Sequence, residues 1–186
     1  EPVICKVSGE TGHGYVRPPQ EFLNQLKSAS KTSDIVVTYV GFPDSVKKAF
    51  EMAVEIWESL ITSSVPIYML AEWKILSDQT LGSCGAQYFY ANFENAPLAD
   101  TYYPVALAEK IMEKEITGPS SFDMKASFNS SMPWYVGTDG KTPSTRYDLV
   151  STVLHEIAHG LGFIGFFNVE ESGSMGYYDH YDDQFP

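Results

Sequence analysis

The sequence predicts an α+β domain of α/β-like character: a twisted, mostly parallel sheet, one long backing helix and a second helix that carries the chemistry. Three observations predict it. A β-branched run, DIVVTYVGF (Asp34–Phe42), leads directly into a long amphipathic stripe. Strand-like and helix-like segments then alternate, as they do where crossovers cover a parallel sheet. Near the far end, Leu149, Val150, Val153, Leu154, Ile157, Ala158 and Leu161 make a wide apolar face at helical spacing.

In order, residues 1–33 read as an N-terminal arm, polar and rich in Gly, Pro and Ser, with a short helix over Glu21–Ser28. Residues 34–186 read as one domain. Asp34–Phe42 is a strand closed by Gly41 and Pro43. The long helix follows, with Val46, Ala49, Phe50, Ala53, Val54, Trp57, Leu60 and Ile61 on one stripe and Asp44 or Ser45 as its cap. Val65–Leu76 is the next strand, with Pro66 near its start. LGSCG (Leu81–Gly85) reads as a turn, and Ala86–Phe93 as a hairpin arm or an edge. Tyr102–Ile116 reads as a helix with Pro104 in its first turn, ended by Gly118–Pro119. Phe122–Phe128 alternates as a strand, and a loop follows with a short strand at Trp134–Gly137. No internal repeat is present.

Composition excludes several functions. The chain has 186 residues, 44% hydrophobic and 19% charged, which suits a folded globule. The formal net charge of −12 repels phosphate backbones, so nucleic acid is not an expected partner. No apolar run is long enough to span a bilayer. The first residue is Glu1, which reads as a processed or trimmed start. Cys5 and Cys84 suit either one disulfide tying the arm to the body or two separate thiols; a further reading makes Cys5 a latency device that blocks a metal.

The chemistry sits in HEIAHGLG, His155 to Gly162. Thr145-Arg-Tyr-Asp148 matches a capping box ahead of it, with Asp148 in the acidic position. Thr152, His155, Glu156 and His159 fall largely off the apolar face, and Gly162 stands where a left-handed turn ends a helix. Residues four apart are neighbours on a helix, so both imidazoles can reach one cation. Zinc takes histidine nitrogen in a tetrahedron and lowers the pKa of a water it holds toward about 7. Glu156, beside His155, is then the general base and later the donor to the leaving amine.

HEIAHGLGF resembles the active-site helix of the metzincin zinc peptidases, whose pattern is HExxHxxGxx followed by His or Asp. It is most similar to leishmanolysin-like enzymes and to a group of secreted bacterial proteins resembling them; AFEMAVEIWESLITSSVPI, LGSCG, TYYPVALAEKI and YDLVSTVLHEIAHGLGFIG extend the likeness over most of the chain. The resemblance implies a secreted or extracellular, bacterial zinc endopeptidase acting on peptide or protein, with Zn2+ on His155 and His159, Glu156 as general base and Gly162 turning the chain below the metal.

The chain departs from the pattern at Gly165, where the short form of the motif has its third ligand. His13 lies in the arm, and Glu170 and Glu171 lie too near His159 for a second helix to return. His180, among Asp179, Asp182 and Asp183, is the best local candidate, although acidic neighbours favour its protonated form. The expected third ligand lies beyond Pro186, together with the methionine turn of the family; Met175 is not read as that turn. Three other functions stay open: a zinc hydrolase acting on a non-peptide amide, which substrate profiling alone separates, a non-catalytic binding domain on a peptidase-like scaffold, and an inactive fragment of a longer peptidase. Zinc content and hydrolysis with and without chelator separate the last two.

Overall fold

The computed structural model describes residues 3–6, 31–77, 79–118, 120–164, 167–169 and 175–177, and for the first and the last two of these ranges it describes the backbone alone. The helix expected over Glu21–Ser28 lies outside them.

A five-stranded sheet forms the frame. Its strands, in spatial order, are β1 (Val3–Lys6), β4 (Thr80–Ala86), β7 (Met124–Asn129), β3 (Ile67–Lys74) and β2 (Ile35–Val40). β2, β3 and β7 run parallel, with Ile35 opposite Ile67 and Met69 opposite Met124. Parallel neighbours need crossovers, and helix α1 (Asp44–Leu60) supplies the one between β2 and β3. β4 runs antiparallel to β7, and β1 antiparallel to β4. The result is a mixed α+β fold with a mostly parallel sheet and three described helices, α1, α2 (Val105–Met112) and α3 (Leu149–Gly160). Short paired strands complete it: β5 (Phe89–Tyr90) with β6 (Tyr103–Pro104), β8 (Trp134–Tyr135) with β9 (Tyr147–Asp148), and β10 (Phe167–Val169) with β11 (Met175–Tyr177).

The core fills one face of the sheet. Val46, Ala49, Phe50, Ala53 and Val54 of α1 are buried, as the stripe requires. Phe50 meets Phe42 edge to face at 5.3 Å and Phe128 of β7 edge to face at 5.4 Å, so one aromatic cluster joins helix and sheet. Leu149, Val153 and Ile157 of α3 are wholly buried in the same core. The two helices are tied directly: the Trp57 indole N–H of α1 donates to the Leu154 carbonyl of α3 at 3.1 Å. Glu58, though acidic, is buried at the end of α1, where it accepts from the Ile35 amide at 2.8 Å and pairs with Lys31 at 2.8 Å.

Several expectations are corrected. LGSCG is not a turn; it is most of strand β4, because long-range pairing with β1 and β7 on either side overrides the local preference of Gly and Ser. Neither Asp44 nor Ser45 caps α1: Pro43 holds that position without a side-chain bond, and Asp44 is the helix's first acid. α2 is shorter than expected, beginning after Pro104 and ending at Glu113 in a left-handed conformation (φ 53°), well before Gly118. Of Ala86–Phe93, Ala86 ends β4 and Phe89–Tyr90 forms β5; the rest is not strand. The expected N-terminal arm contributes β1 to the sheet, and Thr32 and Ser33 bond to the Glu58 carbonyl at the end of α1.

Candidate metal centre

α3 presents the site. Its start is set by Asp148, not by Thr145: Asp148 is the N-cap, and its carboxylate accepts from the Ser151 amide at 2.7 Å. Thr142 donates to the other Asp148 oxygen at 2.5 Å, and the Thr152 hydroxyl donates to the Asp148 carbonyl at 2.9 Å. The capping box fails because Tyr147 and Asp148 are held extended as β9 against Trp134 and Tyr135. Helix can begin only after them.

At the other end of α3, His155 is exposed and His159 half-buried. Their Nε2 atoms converge to 2.9 Å. His159 Nδ1 lies 2.7 Å from the Phe163 carbonyl, which only accepts, so Nδ1 carries the proton and Nε2 presents a bare lone pair. His155 Nε2 then donates to it. A carbonyl behind one ring nitrogen is the usual support of a metal-ligating histidine. Two nitrogens on one tetrahedral zinc stand about 3.3 Å apart. The pair therefore fits zinc with a small opening of the rings and a switch of the His155 tautomer. Burial, then the neighbouring His159, lowers the His155 pKa and favours the neutral, ligating form.

Glu156 differs from its expected position. It is 0% exposed and lies on the sheet side of α3, not off the buried face. Its Cγ lies 3.3 Å from where a Cβ on Gly82 would stand. Neither carboxyl oxygen has a hydrogen-bond partner. Burial pushes its pKa up to about 8, and the nearby Cys84 backbone only partly offsets this. Orphaned buried carboxyls are costly and uncommon, so this one calls for an explanation by function.

Glycines set the spacing. A Cβ on Gly160 would stand 2.7 Å from Met124 Sδ and 2.9 Å from Cys84 Sγ, so α3 rests directly on β7 and β4 there. Gly162 has φ 107°, as expected of a left-handed turn, and a Cβ there would meet Pro104 at 2.7 Å. The Phe163 ring packs on Trp57 at 6.3 Å between centroids. Cys84 is a buried free thiol whose strand partner in β1 is Val3, and the backbone of Cys5 lies opposite Gly82.

His13, Gly165, Glu170, Glu171 and His180 lie outside the described residues, and Met175 is described only as backbone in β11. Among the described residues, one group of three His, Cys, Asp or Glu side chains is close enough to share a cation, and it is elsewhere. A third ligand for the histidine pair is thus not supplied by a described residue. No helix among them is long and apolar enough to cross a membrane.

A family model described as SPBPB7E8-like matches residues 37–175, a span that takes in the sheet from β2 onward and the whole of α3. No curated protein and no solved structure matches the chain.

Proposed function

The chain belongs to the SPBPB7E8-like family, and on the geometry of α3 we propose that it is a zinc-dependent endopeptidase of metzincin type, secreted or extracellular, acting on peptide or protein substrates. One observation carries the reading: a buried carboxyl with both oxygens unpaired, Glu156, stands on the same helix as two imidazoles whose Nε2 atoms converge. A binding scaffold has no use for that carboxyl, and its burial costs stability. The parallel strands β2, β3 and β7, the antiparallel β4 and the helix α3 laid on it also suit a metzincin-like frame.

His155 and His159 would hold the metal through Nε2, with the Phe163 carbonyl fixing the ring of His159. Zinc there would polarise the scissile carbonyl and acidify the attacking water. Glu156 takes the proton from that water on a carboxylate oxygen and returns it to the departing amine. Its raised pKa suits the second half of that exchange, and a dication nearby favours the ionised form needed for the first.

The test is zinc titration followed by peptide hydrolysis. Wild-type chain should bind zinc and lose binding in His155→Ala and His159→Ala, with His180→Ala reporting whether that residue is the third ligand. Hydrolysis of casein should need zinc and cease with chelator. A chain whose zinc affinity ignores both histidine variants is not this enzyme.

A further inference from the structure

We propose that Glu109, Glu115 and Asp123 form a calcium site, separate from the histidine pair, that pins the segment between α2 and β7 to the sheet. One carboxylate oxygen from each lies within 4.8 Å of the other two. The spacing suits oxygens around one calcium ion, where Ca–O distances run about 2.3–2.6 Å.

The division of labour among the oxygens points to a cation. Each carboxylate spends one oxygen on the protein. Glu109 Oε1 accepts from the Ile116 amide at 3.0 Å and the Thr117 amide at 3.3 Å. Glu115 Oε1 accepts from the Gly118 amide at 2.9 Å and the Thr117 hydroxyl at 2.9 Å. Asp123 Oδ2 accepts from the Tyr68 amide of β3 at 2.7 Å. Each leaves its second oxygen buried and unpartnered: Glu109 Oε2, Glu115 Oε2 and Asp123 Oδ1. Glu109 is 1% exposed and Asp123 0%. Three formal negative charges in such a space repel one another unless a cation or protons intervene. An all-oxygen, triply anionic donor set selects a hard dication, whereas imidazole suits zinc. Glu115 is only half-buried, which leaves a side open to the waters that complete calcium's six to eight ligands.

Protons are the competing occupant. Burial pushes Glu109 up to about 7 and Asp123 up to about 6, while bonds from Glu109 and Thr117 outweigh burial and lower Glu115, so without a cation a proton stays near neutrality chiefly on Glu109. The two occupants make different predictions.

The experiment uses the whole chain, freed of calcium with a calcium-selective chelator, at pH 7.5. Terbium(III) is added as an oxygen-seeking calcium surrogate, and its tyrosine-sensitised emission is read; the Tyr68 amide bonds directly to Asp123. Emission should rise saturably, calcium should displace it, and calcium alone should raise Tm by several degrees. Glu115→Gln, at the least buried member, should weaken both effects at least tenfold while circular dichroism stays native. His155→Ala should leave them unchanged, so loss of the peptidase reading leaves this site standing, and the converse. A chain that shows neither emission nor a calcium-dependent Tm holds protons there instead, and the site is not a calcium site. So does a Glu115→Gln and Glu109→Gln pair that binds terbium as tightly as wild type.

Discussion

Glu156 is the side chain on which the proposed chemistry turns. Replacing it by Gln keeps size and shape but removes the titrating group. Hydrolysis should fall by about 10²–10⁴-fold, with zinc affinity retained; an active Gln variant free of contaminating peptidase would remove the assigned role. The same residue sets a pH dependence of stability. Unfolded, it titrates near 4.5; folded and metal-free, near 8. Between those values the folded chain keeps a proton that the unfolded chain has lost. Stability is therefore greatest below about pH 4.5 on this account and falls as pH rises toward 8, by on the order of a few kcal/mol. Glu109 and Asp123 act in the same direction, so the measurement is the difference between wild type and Glu156→Gln: the variant's Tm should fall less between pH 5 and pH 8. Parallel Tm curves would assign the slope elsewhere. The pairing of His155 with His159 and the turn at Gly162 are legible in the sequence because helical spacing alone dictates them. The burial of Glu156 is not, since periodicity scores a glutamate as polar wherever it falls, and only the glycine opposite, Gly82, makes room for it.

Among the elements, α3 is held at both ends by means that separate local from long-range cues. Asp148 fits two positions of a helix start, the third residue after a Thr cap and the cap itself, and sequence alone prefers the first. Pairing of β9 with β8 decides for the second. Asp148→Ala should cost about 1 kcal/mol, and Thr145→Ala almost nothing, in denaturant unfolding. Equal losses would restore the capping box. At the far end, Gly160→Ala inserts a methyl where Met124 and Cys84 already stand, so a loss of about 1–3 kcal/mol is expected, with reduced zinc affinity because His159 shifts with its neighbour. β4 shows the same limit of local reading: its Gly and Ser residues signal a turn, yet small side chains are what let α3 approach the sheet. The acidic trio was not legible either, since Glu109, Glu115 and Asp123 are ordinary surface types until α2 and β7 fold them inward.

Over the whole molecule, the chain's beginning closes the sheet next to the helix that bears the histidines. β1 covers the edge of β4. Removing residues 1–6 should leave β4 with unpaired backbone groups and lower Tm, with added self-association seen by light scattering. A truncated chain that stays monomeric with unchanged Tm would show that β1 contributes little. The strand–helix–strand order from β2 to β3 was legible because its cues are local and periodic, whereas the position of β1 depends on partners nearly eighty residues away. The Trp57 bond reaches across the same body. Its indole touches the backbone of α3 and stacks near Phe163, whose carbonyl holds His159. The molecule thus carries an optical reporter wired to its own imidazoles: ultraviolet emission from Trp57 should shift as the rings part around an ion, and Trp57→Phe should silence the signal while Trp73 and Trp134, packed on each other at 6.1 Å, go on glowing unaltered.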